Sequence, residues 1–141
     1  MDRREILAER PVEKGRGFMP GVTVNPSRVL FTAGLTGRDA AGNLVTGGMA
    51  PQVHRTFERL QAIVGHAGAG FDAVVKQLVY VTDIDAFMTT GDIRRRFFVE
   101  PYPVTTTVQV VRLYHPDLLV EITAAAEIPR DRFRRPAAGS A

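Results

Sequence analysis

The sequence predicts a single mixed α+β domain: one β-sheet with two helices packed on one of its faces. Three observations carry this expectation. Stretches with a two-residue apolar period alternate with stretches of helical period. Each stretch has the length of one element and is bounded by glycine, proline, asparagine or aspartate. The 141-residue chain, 45% hydrophobic and 23% charged, is large enough for one core and too short for two.

Residues 1–28 are broken by Pro11, Gly15, Gly17, Pro20, Gly21 and the Asn25-Pro26 pair, which leaves room for a short strand near Glu5–Glu9. The β-branched and aromatic run from Val29 to Gly34 reads as a strand. With the turn residues Asp39 to Asn43 and the following Leu44-Val45 it predicts a β-hairpin. Val53, Phe57, Leu60 and Val64 recur at helical intervals and form one stripe, so a helix is expected between Gly48 and Gly65, with Pro51 in its first turn. Val74 to Thr82 is too β-branched to favour a helix and reads as a strand. Asp83 or Asp85 can cap a second helix running to about Phe98, which Gly91 weakens.

Two further strands follow. The two-residue period places Val104, Thr106, Val108 and Val110 on one face of the first, and Thr105, Thr107 and Gln109 on the other. In the second it groups Leu118, Val120, Ile122, Ala124 and Ile128, opposite Leu119, Glu121, Thr123, Ala125 and Glu127. If these strands pair through the turn at His115-Pro116-Asp117, Glu121 shares a surface with the threonine face. A second sheet face of Thr, Ala and Glu, without a dense charged coat, predicts a partner surface.

Composition excludes several classes of chemistry. With no cysteine, disulfides and thiol nucleophiles are ruled out, no spacing suggests a metal site, and no cofactor is expected. No apolar run approaches the roughly 20 residues of a membrane span, and the N-terminus lacks a signal-like segment, so a cytoplasmic protein without membrane contact is expected. The net charge of +3 sits in the last residues: 130–141 hold four arginines and one aspartate. Removing these from the totals of 18 basic and 15 acidic side chains leaves 14 of each in residues 1–129. The reading is therefore a neutral domain at 1–129 and a basic, frayed tail at 130–141, with no nucleic-acid partner.

Several stations, in order, resemble those of one family. They are Ala33-Gly34, Gly42-Asn-Leu-Val45, Gln52, Val74-Val-Lys76 running to Thr82-Asp83, and Phe87 with Phe98. Pro103-Val-Thr-Thr-Thr-Val-Gln-Val110, Arg112-Leu113 and Val120-Glu-Ile122 complete the series. Over residues 17–128 the sequence resembles the Rid (reactive intermediate deaminase, or YjgF) family. The resemblance implies a chorismate-mutase-like fold, a homotrimer around a sheet-lined centre, and small-molecule clefts between subunits.

In deaminating members of that family an arginine grips the substrate carboxylate and a glutamate positions the attacking water. Glu121 matches the glutamate. Thr105 stands at the arginine station, Phe18 at that of a tyrosine, Ala33 at that of the serine before glycine, and Gly91 at that of an asparagine. The resemblance thus implies a site of catalytic Glu121 with Phe18, Ala33, Gly34, Thr105, Thr106 and Thr107 lining the cleft. Replacing a guanidinium fork by one hydroxyl costs about 1.5–3 kcal/mol of carboxylate binding, and Phe18 lacks a phenolic oxygen, so the cleft becomes more apolar. Glu121 serves as a general base where burial raises its pKa, with Gly34 N–H as donor to developing charge. A structural pairing of Glu121 with Arg112 is the competing reading. Arg94, Arg95 and Arg96 read as the solvated face of the second helix, with Arg94 a second candidate for the anion-binding role. Two functions fit: hydrolysis of a non-standard enamine or imine, or a catalytically inactive trimer that binds a small molecule or protein at its clefts. Ribonuclease activity, attached to the family name, is opposed by a neutral domain without a histidine pair.

Overall fold

The structure, a computed structural model, describes residues 3–6, 21–24 and 28–134. Strands β1 (Arg3–Ile6) and β2 (Gly21–Val24) pair antiparallel as a separate ribbon, so the expected first strand lies slightly earlier than Glu5–Glu9. The main sheet has five strands: β3 (Arg28–Phe31), β4 (Leu35–Thr36), β5 (Val74–Val81), β6 (Val104–Gln109) and β7 (Val120–Ile128). Its order is β3-β7-β5-β6, with β4 also on β7; β3, β4 and β5 run antiparallel to β7, and β6 runs parallel to β5.

Helix α1 (Met49–His66) covers one face. Its stripe of Val53, Phe57, Leu60 and Val64 is wholly buried together with Val120, Ile122 and Ile128 of β7 and Val81 of β5. Burying each such side chain stabilises the fold by about 1.5–3 kcal/mol. Phe57, Phe71, Phe97 and Phe98 interlock at ring-centroid separations of 4.6 to 6.3 Å, several of them edge to face. Gln52, buried on α1, donates to Asp117 O at 2.8 Å and accepts from Leu119 N–H at 2.9 Å, which fixes the loop entering β7.

Four expectations are corrected. The last two strands do not pair with each other: β5 lies between them, because a parallel β5–β6 pair is reached through the intervening helical segment while β7 returns antiparallel on the far side of β5. The second helix is two, α2 (Ile84–Met88) and α3 (Gly91–Phe97), broken at Thr89-Thr90; Asp83 caps α2 by accepting Ala86 N–H at 2.9 Å, as expected. The hairpin shrinks to a single bridge between Arg38 and Leu44, since Val29 and Phe31 pair with β7 instead. Three residues from Thr32 to Gly34 oppose two on β7, a bulge that redirects the chain from β3 into β4.

The fourth correction concerns the chain ends of elements. Helix α1 runs past Gly65 to His66, and the left-handed residue that stops it is Gly68 at φ 92°. There Arg134 N–H donates to Ala67 O at 2.9 Å and Arg132 pairs with Asp72 at 2.8 Å, so the first residues of the expected tail pack onto the domain as far as Arg134. The rest of the tail lies outside the described residues.

Candidate functional site

The sheet has one covered and one open face, and its register decides which side chains share each. Cross-strand partners point the same way. Tyr80 partners Glu121 and Val108, Leu78 partners Thr123 and Thr106, and Phe31 partners Ala125. The open face therefore carries Glu121, Thr123, Ala125, Tyr80, Leu78, Val104, Thr106 and Val108. Thr105 and Thr107 align with Gln77 and Val79 and point to the covered side.

Glu121 and the threonine pair thus lie on opposite faces of one subunit, separated by β5, which overturns the expectation of a shared surface within the chain. Two polar side chains of β6 are bonded on the covered side: Thr105 Oγ1 accepts from Gln77 Nε2 at 2.9 Å, and Gln109 Oε1 accepts Ile84 N–H at 2.9 Å. Thr106, exposed, falls on the same face as Glu121. Phe18 lies outside the described residues.

Gly34 and Glu121 do come together. A methyl group placed on Gly34 would lie 1.8 Å from Glu121 Oε1, so the half-buried carboxylate rests where only a glycine leaves room. Ala33, beside it, is exposed on the bulge. Arg112 donates from Nε to Leu113 O at 3.2 Å, and among the described residues no ion pair joins it to Glu121. The structural pairing is not formed.

Near this carboxylate stand residues the sequence did not single out. Thr36 of β4 is the register partner of Glu121 on β7. The hydroxyl of Tyr114 lies 3.4 Å from Thr36 Oγ1 and accepts from Arg38 Nε at 3.1 Å, with the Arg38 guanidinium 5.7 Å from the Tyr114 ring centre. The hydrogen bonds from Thr36 and Arg38 hold the Tyr114 phenol below its ordinary value, against the opposing charge of Glu121. Thirty-eight and 114 are distant in sequence, so no local motif announces this contact. Further along the open face, Phe31, Lys76, Leu78, Thr123 and Ala125 line a shallow hollow of about 200 Å³.

Arg94 departs from its expected place on a solvated helix face. It is half-buried, its guanidinium carbon lies 4.9 Å from the centre of the Phe87 ring, and its Nε is buried without a hydrogen-bond partner. Burial, with Arg95 beside it, pushes this guanidinium below its ordinary value. Among the described residues no group of histidines and acids could hold a metal, and no helix is long and apolar enough to cross a membrane.

Residues 15–128 match the family model described as endoribonuclease L-PSP. The fold superposes with a TM-score of 0.81 on a crystal structure of a conserved Rid-family protein of unknown function from Yersinia pestis, at 27% identity and covering 91% of this chain and 100% of that one. The chain belongs to the Rid/YjgF family. Family relatives include a RutC family protein of Pyrococcus abyssi, 35% identical over 98 residues that cover 69% of this chain and 76% of that protein. The bovine protein named 2-iminobutanoate/2-iminopropanoate deaminase is 33% identical over 87 residues, 61% of this chain and 64% of its own length. The Rid/YjgF membership that the sequence suggested and the mixed α+β fold are thereby confirmed.

Proposed function

We propose that this chain hydrolyses a small imine or enamine at a cleft between copies of itself, with Glu121 as the base that handles water. The observation that carries this reading is the Glu121 carboxylate, held against Gly34 on the open face and free of any ion pair among the described residues. Such a carboxylate takes a proton from water as the water oxygen attacks the C=N carbon and passes it to the nitrogen; it then carries the proton of the new hydroxyl to the same nitrogen, so that the C–N bond breaks, ammonia leaves and a carbonyl remains.

Since Thr105, Thr107 and Glu121 cannot meet within one chain, the cleft joins the covered-side edge at β6 of one copy to the open face of the next. A homotrimer built through the open sheet face supplies this geometry, and the exposed Val29, Phe31 and Val108 on that face support it. The ligand is a small nitrogenous metabolite, and the setting a cytoplasmic one.

A second reading, a trimer that binds its ligand without turnover, is favoured by Thr105. Its hydroxyl accepts from Gln77 and lies 3.4 Å from Pro103 O, which leaves it little capacity for a ligand carboxylate. Ammonia release from a panel of imines and enamines separates the two. Turnover by the wild type that falls by about 10²–10⁴-fold in Glu121→Gln supports the enzyme. Wild-type silence across the panel, with Thr105→Arg silent as well, leaves the binding trimer.

A further inference from the structure

Beside the Glu121 carboxylate stands a phenol whose own proton is free to be given. Tyr114 Oη accepts from Arg38 Nε at 3.1 Å and lies 3.4 Å from Thr36 Oγ1. Arg38 is itself held, donating from a terminal nitrogen to Gly42 O at 2.7 Å. Arg59 of α1 donates to Thr36 O at 2.7 Å and lies 3.4 Å from Thr36 Oγ1, so the Thr36 hydroxyl turns its proton to Tyr114. With two donors already on the phenolic oxygen, its O–H is left to donate outward, from a side chain that is 61% exposed.

The same stretch of chain ties this phenol to the carboxylate. Glu121 rests against Gly34, and Tyr114 against Thr36 two residues on. Two residues span at most about 7 Å, and alternate positions of an extended chain face the same way. Thr36 is also the register partner of Glu121, whose charge reaches the Tyr114 phenol. A proton donor and a proton acceptor thus stand on one face, at a spacing suited to a small C=N unit and its water.

We propose that Tyr114 is the catalytic acid of this site, giving its proton to the imine nitrogen while Glu121 takes one from the attacking water. This rests on the reading of Glu121 as the base given above. As the water oxygen bonds to carbon, the C=N electron pair moves to nitrogen, which takes the phenolic proton. Arg38 holds the resulting phenolate, and the proton on Glu121 then returns to it. The same two transfers, from the new hydroxyl to Glu121 and from Tyr114 to nitrogen, break the C–N bond and release ammonia and the carbonyl. Glu121 acting alone would carry each proton across from oxygen to nitrogen; with Tyr114 donating, each transfer is short.

Ammonia release from a panel of imines and enamines headed by 2-iminobutanoate and 2-aminoacrylate tests this in wild type, Tyr114→Phe, Arg38→Gln and Glu121→Gln. Rates are followed from neutral pH to beyond the ordinary tyrosine range, with folding checked by thermal melting. In Tyr114→Phe, kcat should fall about 10²-fold with little change in KM, and the alkaline decline of wild-type kcat, where the phenol ionises, should vanish. In Arg38→Gln that decline should move to higher pH, because a donor that favours the phenolate is lost. A side chain that merely holds Arg38 and Thr36 in place would leave the alkaline decline unmoved, and that result overturns the acid even if kcat falls. Full activity of Tyr114→Phe beside a crippled Glu121→Gln overturns the acid and keeps the base. Silence of the wild type across the panel removes the enzyme, and the acid with it.

Discussion

Phe57 and Phe31 are the same side chain in opposite circumstances. Phe57 is 0% exposed between α1 and the sheet, ringed by Phe71, Phe97 and Phe98, whereas Phe31 is 77% exposed on the other side of that sheet. One face is finished by the chain's own helices. The other ends in apolar side chains, a half-buried carboxylate and a shallow hollow, and Phe31, Val29 and Val108 stay exposed on it. The difference teaches that stability and function draw on different faces: the covered face holds the subunit together, and the open face carries the groups that a second surface would complete.

Breaking the covered face should have the largest effect. Phe57→Ala removes a ring at the centre of the aromatic cluster and leaves a cavity that well-packed neighbours fill only in part, so a loss of about 3–5 kcal/mol is expected in urea unfolding. That is a large share of the roughly 5–15 kcal/mol typical of a domain. A loss under about 1 kcal/mol would mean that the cluster is not the core.

The matching change on the open face should behave differently. Phe31→Asp is expected to leave the subunit's own unfolding free energy within about 0.5 kcal/mol, since the ring is already in water. Its effect should appear instead in sedimentation, as conversion of a trimer into single subunits. A wild type that sediments as a monomer would remove the proposed assembly, and with it the cleft between copies.

The sequence exposed the covered face more fully than the open one for a physical reason. The Val53-Phe57-Leu60-Val64 stripe and the alternation of Val120, Ile122 and Ala124 are local periodicities, and burial follows them directly. Glu121 beside Gly34 was also legible, through the ordered stations that carry the family resemblance. The partner of β6 was not, because its alternation is equally compatible with pairing to β5 or β7, and a connection of the right length exists for both. Thr105 and Glu121 were consequently placed on one surface when the register sets them on two. Arg94 escaped its solvated role because three consecutive arginines look alike in sequence, and only the position of Phe87 distinguishes the one that turns inward.

The smallest expected effect lies where the open face becomes polar. Tyr114 is drawn below the ordinary tyrosine range by Thr36 and by Arg38, and the latter bond, shorter and charge-assisted, is the stronger of the two. Its phenolate is therefore favoured in the folded chain relative to the unfolded one, where the value is near about 10. The sign follows from linkage: the contribution is complete above the unfolded pKa and is lost as pH falls through the lower, folded one. Unfolding free energies of wild type and Tyr114→Phe should diverge between neutral pH and pH about 10.5, with wild type gaining, by under about 1 kcal/mol because the phenol is exposed and screened. Absorbance of phenolate should show an early transition that disappears in the variant. Parallel stability curves and an unchanged titration would mean that Arg38 rests on the ring of Tyr114 without polarising its hydroxyl, and the polar group beside Glu121 would reduce to Thr36.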